Sequence, residues 1–221
     1  MIDFDFAKLS VRDRYNLIIG LVAPRPIALV TSLDASGRVN AAPYSAFSYA
    51  GVDPVLVTIG GGNRPEDESL PSGMPLPKDT VQNIRVRGEF VVNVVDERLA
   101  EAMNVCAIDF PPGVDELAEA GLTTVPSLHI AVPRIAEAVA CLECREVTTV
   151  EVGRSRVIIG QVVGAHIREE FVDPTGPYIR ADQMHAVGRM NGGGNYVRTR
   201  GAIFQMPRIP LADWEAKKKA R

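Results

Sequence analysis

The sequence lacks several features, and each absence excludes a class of protein. Its 221 residues include three cysteines, and this odd, low number argues against a disulfide framework. No segment approaches the ~20 uninterrupted apolar residues that a membrane helix requires. The first residues carry acids where a signal peptide carries bases. We therefore expect a cytoplasmic protein with no membrane partner.

Motifs for hydrolytic, metal and nucleotide chemistry are also missing. The chain has no HExxH, GxSxG or GxxxxGK[ST] motif. Its histidines, His129, His166 and His185, show no metal-binding spacing, and the glycines at 60–62 and 192–194 complete no dinucleotide fingerprint. A net charge of −3 gives no general electrostatic reason to bind nucleic acid. We expect no metal site, no Rossmann unit and no nucleic-acid partner.

Two cysteines three residues apart are a weak redox or zinc signal. Cys141 and Cys144 lie in a segment that is typical of a strand. Residues three apart in a strand point to opposite faces. We therefore expect both thiols to pack in the core rather than to act together.

Short strands separated by turns dominate the remaining pattern. We predict strands at 27–33, 39–42, 55–59, 89–95, 136–152 and 156–167. We predict helices at 11–21 with Ser10 as N-cap, from Lys78 to Gly88 with Asp79 or Thr80 as N-cap, at 97–106 and at 114–121. These elements do not alternate regularly, so they favour a mainly β fold, an antiparallel barrel decorated with short α-helices, over a doubly wound sheet.

One domain over residues 1–221 is the economical organisation for this length. Residues 60–77 read as a long loop rich in Gly, Pro and acids, and loops of this length are often functional lids or mobile segments. Residues 207–221 form a C-terminal tail. This tail is either an amphipathic helix packed on a partner subunit or a frayed end, and the sequence leaves both possibilities open.

Hydroxyl side chains and cations gather where predicted strands and helices begin or end. Lys78, Asp79 and Thr80 open a helix, and a helix N-terminus holds phosphate well. Lys78 adds a full charge, and hydroxyls such as Thr80 and Ser45 would offset a phosphate by hydrogen bonding. Asp79 would oppose a phosphate unless it caps its own helix. The same residues are also typical of an ordinary helix start, and the pattern alone does not decide between the two.

Three blocks of sequence resemble the flavin reductase-like, FMN-binding split-barrel family, which includes flavoredoxin and reductase components of two-component monooxygenases. They are PRPIALVTSLDASGRVNAAPYSAF at 24–47, KDTVQNI with EFVVNVV at 78–95, and HAVGRMNGGGNYVR at 185–198. The blocks come in the family's order. The resemblance implies an antiparallel split β-barrel of Greek-key type, FMN as cofactor, and a homodimer. The chain departs from the family's pattern in the length of the 60–77 loop and in an extra glycine in RMNGGGNY.

The resemblance also implies which residues lie near the flavin. The first block would cradle the flavin through backbone groups and hydroxyls, the second would lie near the phosphate and ribityl end, and the third would approach the flavin, across a dimer interface. These residues are Thr31, Ser32, Asn40, Ala41, Ala42, Pro43, Tyr44, Ser45 and Phe47; Lys78, Asp79, Thr80 and Asn83; and Arg189 and Tyr196. No catalytic acid or base is implied, because the hard chemistry belongs to the cofactor.

The function that the resemblance implies is that of an NAD(P)H:FMN oxidoreductase. Such a flavin reductase would take electrons from NADH or NADPH and pass reduced flavin or electrons to oxygen, to a monooxygenase partner or to another acceptor. Two alternatives stay open. One is an FMN-dependent oxygenase that acts on a small substrate admitted by the 60–77 loop, and the other is a non-enzymatic flavin-binding electron carrier.

Overall fold

The computed structural model describes residues 1–63, 77–111, 113–211, 214 and 218. In these residues the strands are β1 Arg25–Pro26, β2 Ala28–Leu33, β3 Val39–Tyr44, β4 Phe47–Val52, β5 Val55–Gly61, β6 Glu89–Val94, β7 Thr124–Val125, β8 Arg134–Ile135, β9 Ala140–Val152, β10 Ser155–Ile167, β11 Val187–Arg189 and β12 Tyr196–Arg198. The α-helices are α1 Val11–Leu21, α2 Asp79–Arg87, α3 Ala100–Val105 and α4 Glu116–Glu119. Short 3-10 helices lie at Phe6–Lys8 and Glu169–Phe171.

The main sheet is antiparallel and curls into a split barrel. In the described part of the chain, seven strands pair in the order β3-β2-β6-β9-β10-β5-β4. The two end strands, β3 and β4, are separated only by Ser45 and Ala46, so the ends of the sheet must lie side by side. After β2 to β5 follow one another, β6 returns to pair with β2, which is a Greek-key connection. The predicted mainly β barrel with short helices is confirmed.

Successive residues of β2 and β6 enter two different cores, because side chains alternate between the faces of a strand. Val30 and Val92 join the core that α2 covers with Val81 and Ile84. The residues that alternate with Val30 and Val92 along the two strands, such as Leu29 on β2, join the second core, which lies beneath α3 and α4. Burying each such side chain contributes roughly 1.5–3 kcal/mol. The continuous apolar runs in these strands reflect burial on both faces.

Cys141 and Cys144 occupy opposite faces of β9, as predicted. Cys141 packs in the core beneath α3 and α4, and Cys144 packs in the core covered by α2. Both thiols are buried and free, and burial raises the pKa of Cys141 to about 11 and that of Cys144 to about 12. Neither thiol is activated for chemistry, since the thiolate is the reactive form.

Helix α1 begins and ends where predicted, and Ser10 caps it by accepting a hydrogen bond from the Asp13 N–H. The predicted N-cap of α2 was wrong. Lys78 occupies the N-cap position with no side-chain cap bond, because lysine carries no acceptor. The predicted stop was right: Gly88 adopts φ +70°, and its N–H bonds to the Ile84 carbonyl.

Other predicted boundaries were too wide. Helix α3 and helix α4 are shorter than the predicted 97–106 and 114–121. Strand β9 begins at Ala140 rather than at residue 136, since residues 136 and 137 form a turn. Strand β4 was not predicted. Residues 64–76 of the predicted 60–77 loop and most of the 207–221 tail lie outside the described residues, so those expectations stay predictions.

Candidate functional site

A cleft of about 790 Å³ opens along one edge of β3, within the size range of small-ligand sites. Strand β3 ends the hydrogen-bonded order of the sheet, so this edge has no strand partner among the described residues. Pro43, which lacks an N–H, is tolerated in β3 because proline suits edge strands. The opposite walls are the start of α2 and the segment that joins α3 to α4. The split in the barrel thus leaves backbone donors and acceptors facing an open space.

Ten of the fifteen predicted site residues line this cleft. They are Asn40, Ala41, Ala42, Pro43, Tyr44, Ser45, Lys78, Asp79, Thr80 and Asn83. Residues far apart in the chain come together here because α2 packs across β2 and β3. The proximity of these residues is observed, and their contact with a flavin stays a prediction.

Thr31 and Ser32 lie behind the cleft wall rather than on it, and both are fully buried. The Thr31 hydroxyl donates to the Pro133 carbonyl at 2.8 Å. The Ser32 Oγ accepts from Asn83 Nδ2 at 3.1 Å. Neither residue is among those that line the cleft in this structure, and their predicted contact with a flavin stays a prediction. In this structure they fix neighbouring segments in place.

A second polar pair joins β3 to the start of α2. Asn40 Nδ2 donates to Thr80 Oγ1 at 2.9 Å. Thr80 is 2% exposed, so its hydroxyl stiffens the junction between the two walls. The pair sets the position of α2 relative to the open edge of β3.

Three predicted residues lie away from the cleft wall. Phe47 packs against the core covered by α2. Arg189 and Tyr196 pair with each other across β11 and β12, where the guanidinium bonds to the Tyr196 hydroxyl and lies 4.6 Å from the ring centroid. These two strands form a separate sheet with β1. The prediction that Arg189 and Tyr196 approach a flavin across a dimer interface stays untested within one chain.

No predicted site residue lies on the wall between α3 and α4. Its lining includes Cys106, Asp109, Phe110, Gly113, Asp115 and Glu116. Glu116 Oε2 accepts a long hydrogen bond of 3.4 Å from the Ala41 N–H on β3. The run DFPPGVDE carries the turn chemistry of proline and glycine with three acids. That run is the feature of the sequence that could have indicated this wall.

Two cations in the cleft already have acidic partners. Lys78 Nζ lies 3.8 Å from Asp109 Oδ1, with both side chains well exposed, so this pair is weak. Arg38 Nε lies 2.8 Å from Asp34 Oδ2. Hydrogen bonds from Ser36 and Arg38 hold the pKa of Asp34 well below its usual range. Lys78 is therefore the cation that an incoming anion could engage at the lower cost.

Two other groups in the cleft, Glu116 and Tyr44, have raised pKa values. Burial raises the pKa of Glu116, and the charges of Asp115 and Asp79 add to this shift. The Tyr44 hydroxyl is buried and lacks a hydrogen-bond partner of normal geometry in the described structure. Burial raises the pKa of Tyr44 to about 12 despite a stabilising contact with Thr80. Unsatisfied buried polar groups are rare in folded proteins, and a ligand in the cleft can give the Tyr44 hydroxyl a partner. Among the described residues the other such atom, Glu97 Oε1, lies outside the cleft.

The donor set suits a phosphorylated, planar ligand. The start of α2 carries a partial positive charge, and Lys78 adds a full one, which together favour a phosphate. The free edge of β3 offers backbone groups to a polar ring. Across the described residues, no group of three or more His, Cys, Asp or Glu could hold a metal ion. None of the helices described is long and apolar enough to cross a membrane.

Comparison with known proteins identifies similar chains. A family model described as "Flavin reductase like domain" matches residues 21–187. The crystal structure of 2-nitrobenzoate 2-nitroreductase from Pseudomonas fluorescens is 38% identical, with a TM-score of 0.80 over 95% of this chain and 97% of that one. Nitrilotriacetate monooxygenase component B from Bacillus cereus is 31% identical, with a TM-score of 0.84 over 93% and 98% of the two chains. An uncharacterized protein of Deinococcus radiodurans is 39% identical, covering 99% of this chain and 94% of its own.

Proposed function

We propose, on the premise that this chain belongs to the flavin reductase like family, that it holds FMN in the cleft between β3 and α2 and accepts hydride from NADH or NADPH. Membership of the family makes the protein a flavin oxidoreductase, while the choice of FMN and of the donor is our proposal. One observation carries the proposal: the unpaired edge of β3 faces the N-terminus of a nine-residue helix that begins beside Lys78.

The phosphate of FMN fits the α2 end of the cleft. A phosphate monoester carries about −1.5 to −2 charges at neutral pH. Lys78 and the helix N-terminus supply the opposite charge, and charge-assisted hydrogen bonds are about twice as strong as neutral ones. Asp109 would have to release Lys78, which costs little because the pair is solvent-exposed.

The flavin ring fits the other end of β3. Asn40 bonds to Thr80 at the start of α2, whereas Ser45 follows the last residue of the strand. Five residues of extended chain separate the two positions by about 15 Å. The cleft is therefore long enough for a phosphate at one end and a ring at the other, and this assignment gives Ser45 to the ring rather than to the phosphate.

The bound flavin would supply the hydride and electron transfer, as cofactors do. The residues of the chain hold and orient it. The backbone edge of β3 fixes the ring, Lys78 fixes the phosphate, and residues 106–111 and 113–116 limit the access of water. The electron acceptor that we propose is oxygen or a monooxygenase partner. The second option is supported by the likeness to a protein whose name makes it a monooxygenase component.

A second candidate is an FMN-dependent reductase that acts on a small substrate at the bound flavin. The 38% identity to a 2-nitrobenzoate 2-nitroreductase, over nearly the whole length of both chains, favours this candidate. The substrate would be a nitroaromatic acid. The oxygenase and the electron carrier also stay open. The candidates differ in whether reduced flavin leaves the protein or reacts while it is bound.

We also propose a homodimer and a cytoplasmic location. Helix α1 exposes a row of apolar side chains, Val11, Tyr15, Ile18 and Leu21, and large exposed apolar patches commonly mark interfaces. The buried free cysteines agree with a reducing compartment. Sedimentation equilibrium tests the homodimer. A mass equal to one chain at micromolar concentration would contradict it.

Purification and anaerobic reduction test the proposed function. We expect a yellow protein that releases FMN on denaturation, or a colourless one that binds added FMN with a change in flavin fluorescence. Anaerobic NADH or NADPH should then bleach the flavin absorbance. Absorbance that persists with both donors excludes the reductase. A protein that binds no flavin at all excludes all four candidates.

Rapid mixing of the reduced protein separates the candidates. Flavin that appears free in solution and transfers to a second flavoprotein supports the reductase. Oxidation of bound flavin by a nitroaromatic acid under anaerobic conditions, with no flavin released, supports the nitroreductase. The carrier is supported if dithionite but neither NADH nor NADPH reduces the flavin, and if the reduced flavin neither transfers to a second flavoprotein nor reacts with a nitroaromatic acid.

A further inference from the structure

Arg25 is a buried cation whose hydrogen bonds lead to the cleft wall. It lies on β1 and is 8% exposed. Its Nη1 donates to the carbonyls of Ile19 at 2.5 Å and Val22 at 2.8 Å, at the end of α1. Its Nε donates to Ser45 Oγ at 3.5 Å, and Ser45 lines the cleft. Among the ion pairs of the described residues, none involves this guanidinium.

The end of α1 explains how this charge is tolerated without a carboxylate. A helix C-terminus carries a partial negative charge and carbonyls with no partner within the helix. The Arg25 guanidinium satisfies one of those carbonyls, on Ile19, and also the Val22 carbonyl at the C-cap. A guanidinium keeps its positive charge in proteins. A permanent positive charge therefore stands behind Ser45.

Arginine chemistry also decides the direction of the hydrogen bond to Ser45. A guanidinium only donates, so the Ser45 oxygen must accept. A serine hydroxyl carries one proton, and that proton stays available for an acceptor on the other side. Ser45 therefore presents a polarised O–H donor to the cleft, strengthened because hydrogen bonds in a chain polarise one another.

We infer that Arg25 is a positioning residue that fixes Ser45 as a hydrogen-bond donor to an acceptor atom of the flavin ring. This inference rests on the proposed function and on the ring lying at the Ser45 end of β3. Reduction adds electron density to the ring's nitrogen and oxygen acceptors, so a fixed donor binds the reduced ring more tightly than the oxidised one. The pair Arg25–Ser45 thereby raises the reduction potential of the bound flavin and favours hydride uptake from the nicotinamide donor.

A purely structural role predicts a different result. If Arg25 only ties β1 to the end of α1, its removal lowers the free energy of unfolding but leaves the potential of the bound flavin unchanged. If Ser45 is only a small residue at the end of β3, the loss of its hydroxyl changes neither quantity. The reduction potential therefore separates the two roles.

The experiment measures the two-electron potential of bound FMN by dithionite titration against a reference dye. We expect Ser45→Ala and Arg25→Met each to lower the preference for reduced over oxidised FMN about tenfold, which is a fall of about 30 mV for a two-electron couple. The double variant should fall no further, because Arg25 acts through Ser45. Ser45→Thr, which keeps the hydroxyl, should retain the wild-type potential.

Arg156→Met is the matched control. Arg156, on β10, is also a buried arginine and is 7% exposed. It bonds to Glu151 on β9 and to Asn63, which follows β5, rather than to Ser45. Its removal should cost stability and leave the potential unmoved. A potential in Ser45→Ala equal to that of the wild type overturns the inference. Ser45→Ala decides alone if Arg25→Met fails to fold.

The failure of this inference differs from the failure of the proposed function. A wild-type protein that binds no flavin contradicts the proposed function before any potential is measured. A wild-type protein that binds FMN and is reduced by NADH or NADPH, with variants of unchanged potential, contradicts only the role of Arg25 and Ser45.

Discussion

Two carboxylates in this protein differ in how deeply they are buried and in how fully they are hydrogen-bonded, and the comparison separates a structural cluster from the cleft. Glu143, on β9, is fully buried. It accepts from the N–H groups of Leu128 and His129, both at 2.7 Å, and bonds to the His166 ring. Burial raises the pKa of Glu143, but the hydrogen bonds outweigh it, and the pKa lies below its ordinary value. Every oxygen of this carboxylate has a partner.

The cleft shows the opposite balance. Glu116 is half-buried and accepts a long hydrogen bond from the Ala41 N–H, and burial together with neighbouring acids raises its pKa. The nearby Tyr44 hydroxyl is buried without a partner of normal geometry in the described structure. Satisfied buried groups hold a fold together, whereas unsatisfied ones leave free energy that a ligand can recover. The contrast makes the Glu143 cluster a structural anchor and supports the proposal that the cleft binds a ligand.

The largest expected effect tests the Glu143 cluster. Glu143→Ala removes a buried carboxylate and leaves two backbone N–H groups and a histidine without their partner. We expect a loss of about 3–5 kcal/mol in the free energy of unfolding, as for other broken buried pairs, measured by urea denaturation. Glu119→Ala, at an exposed position of α4, is the control and should change stability by less than about 0.5 kcal/mol. Similar losses in the free energy of unfolding of Glu143→Ala and Glu119→Ala would contradict the structural role of the Glu143 cluster.

The next effect tests the phosphate end of the cleft. Lys78→Ala should weaken FMN binding by about 1–3 kcal/mol, the value of a hydrogen bond to a charged group, as measured by fluorescence titration. Riboflavin, which lacks the phosphate, should bind both proteins equally. Lys8→Ala, at a lysine whose side chain is 84% exposed, should leave FMN affinity unchanged. Equal FMN affinity in Lys78→Ala and the wild type would remove Lys78 from the site.

A smaller effect tests the Tyr44 hydroxyl. Tyr44→Phe removes a buried polar atom without a regular partner, so the flavin-free protein should become more stable by about 1 kcal/mol. Thermal unfolding without flavin measures this change. Adding FMN should reduce the advantage, because the hydroxyl gains a partner only with ligand bound. A destabilised Tyr44→Phe protein would show that the hydroxyl is already satisfied.

The smallest effect tests Glu116 through pH. A carboxyl whose pKa is raised on folding contributes stability that is full below about pH 4 and is lost as pH rises through the folded-state pKa. Glu116→Gln removes this loss. The variant should therefore be more stable than the wild type at pH 7, by less than about 1 kcal/mol, and equal to it at pH 4. Glu119→Gln is the control. A stability difference between Glu116→Gln and the wild type that grows on acidification would contradict a raised pKa of Glu116.

Local signals predicted much of the fold. Helix α1 follows from the capping chemistry of Ser10 and the apolar spacing after it, and both are properties of neighbouring residues. The opposite orientation of Cys141 and Cys144 follows from the strand period alone. The single-domain organisation and the 60–77 loop stay predictions.

Predictions failed where distant residues decide the outcome. Thr80 looked like an N-cap, but its hydroxyl accepts from Asn40, forty positions away in the chain, and Lys78 takes the cap position. Thr31 and Ser32 bond to Pro133 and Asn83 behind the cleft wall, and their predicted place near a flavin stays a prediction. No local pattern contains those partners.

The sequence by itself determined six strands of the main sheet, both ends of α1, the C-terminal stop of α2 and the family, because each depends on residues that are neighbours in the chain or on blocks in a known order. Only the tertiary structure decided which polar groups stay unsatisfied. That outcome depends on where β3 loses its strand partner, on the acidic wall between α3 and α4, and on the guanidinium of Arg25 behind Ser45. These contacts join segments separated by tens of residues, and no periodicity records them.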